Sequence, residues 1–107
     1  MVSAGMQDAV YKIFTQAEWE TFQETSRFKG SELDLQDGFI HLSAREQVDG
    51  VIERFFQGIR PLYVAGFSSP RILEHLKWEA SGSDGIYPHL YGSELLVDDV
   101  VDIVKRQ

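Results

Sequence analysis

The sequence predicts a mixed α+β fold in which two main helices pack on a strongly bent or split β-sheet, and three observations carry that prediction. Segments rich in β-branched and aromatic residues clearly outnumber segments with helical spacing. The β-helix-β-helix-β order of the first part of the chain breaks down into short strands and loops, which is not the pattern of a doubly wound sheet. A length of 107 residues supports one core but not a nucleotide-binding domain plus a substrate domain, so residues 1–107 are expected to form a single domain.

The elements follow in order. Met1–Gly5 is small and featureless, and residues 1–8 are expected to fray, with Met6 an alternative start. Ala9–Phe14 has strand composition, and Thr15-Gln16-Ala17-Glu18 matches a capping box that opens a helix from Gln16 to about Thr25. Trp19 and Phe22 stand three apart on that helix, so both belong to the core. Ser26–Asp37 has no clear period and reads as a loop with a helical turn. Asp37-Gly38 favours a turn into the strand Gly38–Ser43, and Ser43-Ala44-Arg45-Glu46 reads as a second capping box. The helix behind it carries Val48, Val51, Ile52, Phe55 and Phe56 at helical spacing, with Gly58 as its C-terminal cap.

Pro61–Phe67 is almost continuously apolar, the mark of a central strand buried on both faces. Ser69-Pro70 then opens a short helix ending near His75 or Leu76, and Leu76–Glu79 returns as a strand. Ala80–Gly85 is a polar loop suited to a movable lid. Pro88 assigns Ile86–Gly92 to an edge strand or extended loop, because proline cannot donate to a ladder. Leu95–Val97 and Val100–Val104 are strand material separated by Asp98-Asp99.

Composition narrows the function. Ten Lys and Arg against 17 Asp and Glu give a formal net charge of -7, which argues against nonspecific attraction to nucleic acid or to an anionic membrane. The chain has no cysteine, so thiolate catalysis, thiolate zinc sites and disulfides are excluded, and the cytosol is the expected compartment. No apolar stretch approaches the ~20 residues that span a bilayer.

Two short segments carry the candidate chemistry. In Gly38-Phe39-Ile40-His41-Leu42-Ser43 the two-residue period puts Phe39, His41 and Ser43 on one face and Ile40 and Leu42 on the other. In Ile86-Tyr87-Pro88-His89-Leu90-Tyr91-Gly92 it places Tyr87, His89 and Tyr91 together. His41 and Ser43 stand just before an expected helix N-terminus, where free N–H groups and the macrodipole favour an anion, and Arg45 adds a cation. His89 and Tyr91 offer a polar group and an aromatic platform for a flat ring; Trp78 and Glu79 are weaker candidates. The structural alternative makes His41 a hydrogen-bonded core histidine, Ser43 a cap alone and Arg45 solvated. His41, His89 and Glu79 lack metal-ligand spacing, and no G-x-S-x-G elbow is present, so neither a metal site nor a nucleophilic serine is expected.

Gly38–Ser43, Leu76-Lys77-Trp78-Glu79 and Tyr87–Gly92, in this order in a chain of this length, resemble the small bacterial family known as domain of unknown function 952. Tyr11-Lys12-Ile13 and Trp19 fit too, so the likeness runs from about Val10 to Val104. The resemblance implies a fold similar to the ADP-ribosyltransferases, whose split sheet binds NAD in a cleft, and His41-Leu42-Ser43 looks like their histidine-x-serine/threonine motif. By that likeness His41 binds the ribose of the adenosine half, Ser43 the nicotinamide riboside side, and Tyr91 or Tyr87 stacks on nicotinamide. Those transferases also use a late glutamate, or a substitute, to steady an oxocarbenium-like transition state, a position the resemblance leaves unassigned: Glu79 belongs to the family's own motif, and Glu94 lies late in the chain without matching a family position. The resulting expectation is a small-molecule site of His41, Ser43, Arg45, Trp78, His89 and Tyr91, with His41 and Glu79 as catalytic candidates and NAD as substrate. The alternative is a noncatalytic small-metabolite-binding or interaction domain.

Overall fold

A computed structural model describes residues 9–80 and 85–107. Its first strand, β1 (Val10–Thr15), pairs antiparallel with β4 (Leu62–Phe67), which pairs on its other side with β8 (Val100–Arg106). The apolar run expected to be central is central: Leu62, Ala65 and Phe67 of β4 are fully buried.

Each face of this sheet receives one helix. On one side lies α1 (Gln16–Thr25), with the expected boundaries, opened by a reciprocal cap in which Thr15 Oγ1 accepts from Glu18 N and Glu18 Oε1 accepts from Thr15 N. It lays Phe22 and Trp19 on Phe14, at 5.2 and 5.4 Å between ring centroids, and Phe28 closes edge-on at 5.0 Å. The opposite face takes α3 (Val48–Phe55), whose Val48 and Ile52 pack with Tyr11, Ile13, Leu62 and Val64. Between α1 and α3 runs a second helix, α2 (Glu32–Asp37), and α4 (Pro70–Glu74) follows β4 with Ser69 as its N-cap.

A second antiparallel sheet holds β3 (Ile40–His41), β6 (Ile86–Leu90) and β5 (Leu76–Ala80), in the order β3-β6-β5. Two residues beyond His41, Ser43 exchanges both backbone hydrogen bonds with Tyr11, at 2.8 and 2.9 Å. Segment 40–43 is thus shared: it starts in the second sheet and ends on the free edge of β1. A ribbon of β2 (Arg27–Phe28) and β7 (Leu95–Leu96) supports the α1 side.

Four sequence-based expectations are corrected. Ser43 is not a helix cap: it is spent on the bridge to Tyr11, and Ala44 precedes a 3₁₀ turn (Arg45–Gln47), with Gln47 Oε1 accepting from Ala44 N. Pro88 lies in the central strand of its sheet, not at an edge. Its carbonyl accepts from Leu42 N, and in an antiparallel ladder the missing N–H faces that same side, where β3 is already peeling away toward Tyr11. Ser26–Asp37 is more ordered than a loop, because Ser31 and Asp34 form a capping box that starts α2. The C-cap of α3 is Phe56, and Gly58, at φ 82°, belongs to the turn that follows. The expected frayed terminus and most of the lid loop, residues 81–84, lie outside the described residues.

Candidate functional site

Odd-numbered residues of the second sheet share one face and even-numbered residues the other. Ile40, Leu42, Pro88 and Leu90 turn inward and are almost completely buried. The register sets His41 opposite His89, Lys77 opposite His89 on the other side, and Glu79 opposite Tyr87. The two polar faces read from the sequence therefore meet as one, on an aliphatic support.

Phe39 is the hub of that face. Its ring stacks on His89 at 4.1 Å and 23°, lies 4.6 Å from His41 and 5.1 Å from Tyr91, and the two imidazoles are 5.6 Å apart. Each imidazole is fixed by carboxylates. His41 Nδ1 stands 2.6 Å from Asp34 Oδ1 and its Nε2 3.0 Å from Asp37 Oδ2. The ring can donate to both only when both nitrogens carry protons. His89 Nδ1 lies 2.7 Å from Glu79 Oε1, which also accepts from Tyr91 Oη at 2.7 Å. An Nδ1–H aimed at Glu79 makes Nε2 of His89 the free acceptor of the neutral ring, and that atom has no hydrogen-bond partner among the described residues. Lys77 sits 4.9 Å over the Tyr91 ring.

Behind the face, Asp34 is 2 % exposed and accepts four hydrogen bonds, from Lys12 Nζ, Ser31 N, His41 N and His41 Nδ1. Burial alone would raise its carboxyl. The His41 hydrogen bond, the Lys12 charge and the two backbone donors outweigh burial and hold it well below the usual carboxylate range. Glu79 is likewise lowered, by hydrogen bonds from His89 and then Tyr91, while the same contact raises the Tyr91 phenol. The face thus presents a carboxylate kept ionised beside an imidazole, with a phenol as second donor.

The structure brings together His41, His89, Tyr91 and Glu79. It does not bring in the other three candidates. Ser43 has the parity of His41 but is 5 % exposed and held by its backbone to Tyr11. Arg45 turns to the first sheet, donating from Nε to Tyr11 Oη at 3.2 Å with Nη2 3.5 Å from Asp102. Trp78 lies on the reverse face, opposite Pro88, and is 53 % exposed. Sequence reasoning missed Asp34, Asp37, Lys12 and Lys77. Two signals were present: the Ser31-x-x-Asp34 spacing of a capping box, and Lys12 as the single charge inside an apolar strand. Among the described residues no group of three or more His, Asp or Glu side chains is arranged to hold a metal ion. A shallow recess lined by Thr25, Ser26, Arg27, Leu96 and Asp98 lies at the β2–β7 ribbon, on none of these residues.

Fold and face together define a mixed α/β protein of antiparallel sheets that carries a cross-strand pair of carboxylate-bound histidines. The chain belongs to the family described as Protein of unknown function (DUF952), whose profile matches residues 13–103. It is similar to the X-ray crystal structure of protein CC0527 from Caulobacter crescentus, with 41% identity, a TM-score of 0.81, and coverage of 91% of this chain and 84% of that one. The solution NMR structure of CC0527 is also similar, at 41% identity and a TM-score of 0.75, covering 90% of this chain and 82% of that one. No curated protein matches the chain. No helix among the described residues is long and apolar enough to cross a membrane.

Proposed function

We propose that the His41–His89 face binds a nucleotide-type ligand, NAD or ADP-ribose, and that Glu79 is the acidic group of an ADP-ribosyltransferase-like site. One observation carries the reading: Glu79 is held ionised between His89 and Tyr91, on the face where His41 and His89 are cross-strand neighbours. The division of the strands into two three-stranded sheets joined through segment 40–43 supports the fold half of the proposal.

In this reading Tyr91 and Phe39 offer faces to a planar base. His41 exchanges the half-exposed Asp37 carboxylate for a ribose hydroxyl while Asp34 keeps the ring oriented. When the C1′–N bond of the nicotinamide riboside breaks, both bonding electrons leave with neutral nicotinamide and positive charge builds on the ribose. The Glu79 carboxylate stabilises that charge. Water or another hydroxyl then adds to C1′ and gives its proton to Nε2 of His89.

A second reading, a noncatalytic binding module, is favoured by the Phe39 ring lying flat on His89, whose side chain is 7 % exposed. Calorimetric titration of NAD and ADP-ribose into wild type, His41→Ala and Glu79→Gln tests the proposal. Saturable binding weakened at least about tenfold by His41→Ala is expected. Nicotinamide release that Glu79→Gln abolishes makes the site catalytic; binding without release makes it a binding module. Absence of binding by wild type, or equal binding by wild type and His41→Ala, refutes the nucleotide-ligand reading.

A further inference from the structure

Among the described residues, the longest strand of the first sheet pairs on one side. β8 pairs with β4, and among the described residues no strand pairs with its outer side. A register shift at Gly66/Phe67 leaves Val101 outside the regular ladder, and Asp102–Arg106 then runs without interruption. Aliphatic side chains on both faces of this edge remain open: Val101 is 59% exposed, Ile103 44% and Val104 47%. Such an edge is a template for another strand, and the charges on it, Asp102, Lys105 and Arg106, restrict what can pair there.

Those charges also specify a partner. When two copies of a strand pair antiparallel about a twofold axis perpendicular to the sheet, each face is preserved, so residues directly opposite must have the same parity. An axis through Asp102 or through Lys105 sets like charges face to face. An axis through Ile103 sets Asp102 against Val104 and leaves Arg106 without an acid. An axis through Val104 places Asp102 opposite Arg106 of the second copy, twice, and Ile103 beside the apolar stem of its Lys105. Asp102 and Arg106 already lie close to Arg45 (3.5 Å) and Asp49 (2.7 Å) of their own chain, so the new pairs would link two existing ion pairs into one row.

We propose that β8 is a homodimer interface, joining two copies through strand addition in the register centred on Val104. The result is one six-stranded antiparallel sheet, with α1 and α3 of each copy on its two faces. The shorter edge strand β5 also has charges, but there Glu79 is held by His89 and Tyr91, and Lys77 lies over the Tyr91 ring. The His41–His89 face is on the other sheet, so the dimer stands independently of any ligand.

Sedimentation equilibrium of the full chain tests this, with thermal melts as a folding control. Wild type should reach twice the 12.2 kDa of the chain in the tens of micromolar. Asp102→Arg and Arg106→Asp each put like charges opposite one another twice, and should weaken the dimer at least about tenfold. The double variant restores opposite charges and should restore the dimer. Val104→Lys, which sets two ammonium groups at the axis, serves if a charge reversal fails to fold. A wild type that stays monomeric, a dimer indifferent to these changes, or a double variant no better than its parents would overturn the proposal.

Discussion

Asp34→Ala should be among the most damaging single changes in this protein, although it alters neither an aromatic core residue nor a glycine. The side chain is 2 % exposed and its two oxygens accept four hydrogen bonds. Truncation leaves the Lys12 ammonium, 9% exposed, without its counter-ion in the interior. Removing one partner of a buried pair costs about 3–5 kcal/mol, and the acceptor lost by Ser31 N at the start of α2 adds about 1 kcal/mol. For a chain of this size each kcal/mol lowers the melting temperature by about 4 °C, so the variant should melt roughly 16–24 °C below wild type. Urea denaturation followed by circular dichroism measures the free energy directly. The same experiment on Lys12→Met/Asp34→Leu should recover part of the loss, since an apolar pair of similar volume removes both charge-desolvation costs but leaves Ser31 N and His41 N without their acceptor. A pH series supplies the sign. The folded Asp34 carboxyl lies below its unfolded value, so its contribution is complete above the ordinary carboxylate range and is lost as pH falls through that range toward the depressed native value. Wild type should therefore lose stability toward acid more steeply than Asp34→Ala. A destabilisation below about 1 kcal/mol, or parallel acid slopes, would refute the argument that a buried ionised Asp34 organises this region.

Three further outcomes are expected. Glu79→Gln should return the raised Tyr91 phenol toward the ordinary tyrosine range, read as a fall in the last tyrosine midpoint in an ultraviolet titration; an unchanged midpoint would mean that Glu79 and Tyr91 do not interact in solution. Phe39→Ala should expose the His89 ring, seen as faster modification by diethyl pyrocarbonate, with no change if the 4.1 Å stack is not kept in solution. Gly66→Ala should destabilise the first sheet by about 1–3 kcal/mol, because the new Cβ would meet Tyr11 Cε2 at 2.7 Å; a melting temperature equal to wild type would contradict that contact.

Most of the first sheet was legible because its signals are local or periodic. The apolar run Leu62–Phe67, the Thr15–Glu18 capping box and the Ser69-Pro70 helix start each occupy a few adjacent residues, and each element forms where the sequence places it. Ser43 failed for a physical reason. A serine before Ala-Arg-Glu satisfies a cap pattern, but its backbone was claimed by Tyr11, thirty-two positions away, and a local pattern cannot register such a competitor. Pro88 failed similarly. The rule that proline avoids central strands holds for donors the ladder needs, and here the absent donor faces a neighbour that leaves the sheet at that point.

The candidate site was half legible, and the division follows the same line. Alternation along two short strands was sufficient to put His41, His89 and Tyr91 on polar faces, and the register then made those faces one. What orients them comes from elsewhere in the chain. Asp34 and Asp37 lie on a helix whose period was unreadable, yet they bind both nitrogens of His41. Asp34 is at once the capping partner of Ser31, the counter-ion of Lys12 and the acceptor for His41. One carboxylate thus fixes the start of α2, the buried charge of β1 and the ring orientation of His41, so the helix cannot unwind without freeing the histidine. A selective test follows: Ser31→Ala removes only the cap, at a cost of about 1 kcal/mol, and should leave the His41 ring signals where they are; Asp34→Asn keeps the shape and should move them. If Ser31→Ala shifts the His41 resonances as far as Asp34→Asn does, the ring is held by the helix as a whole and not by this carboxylate.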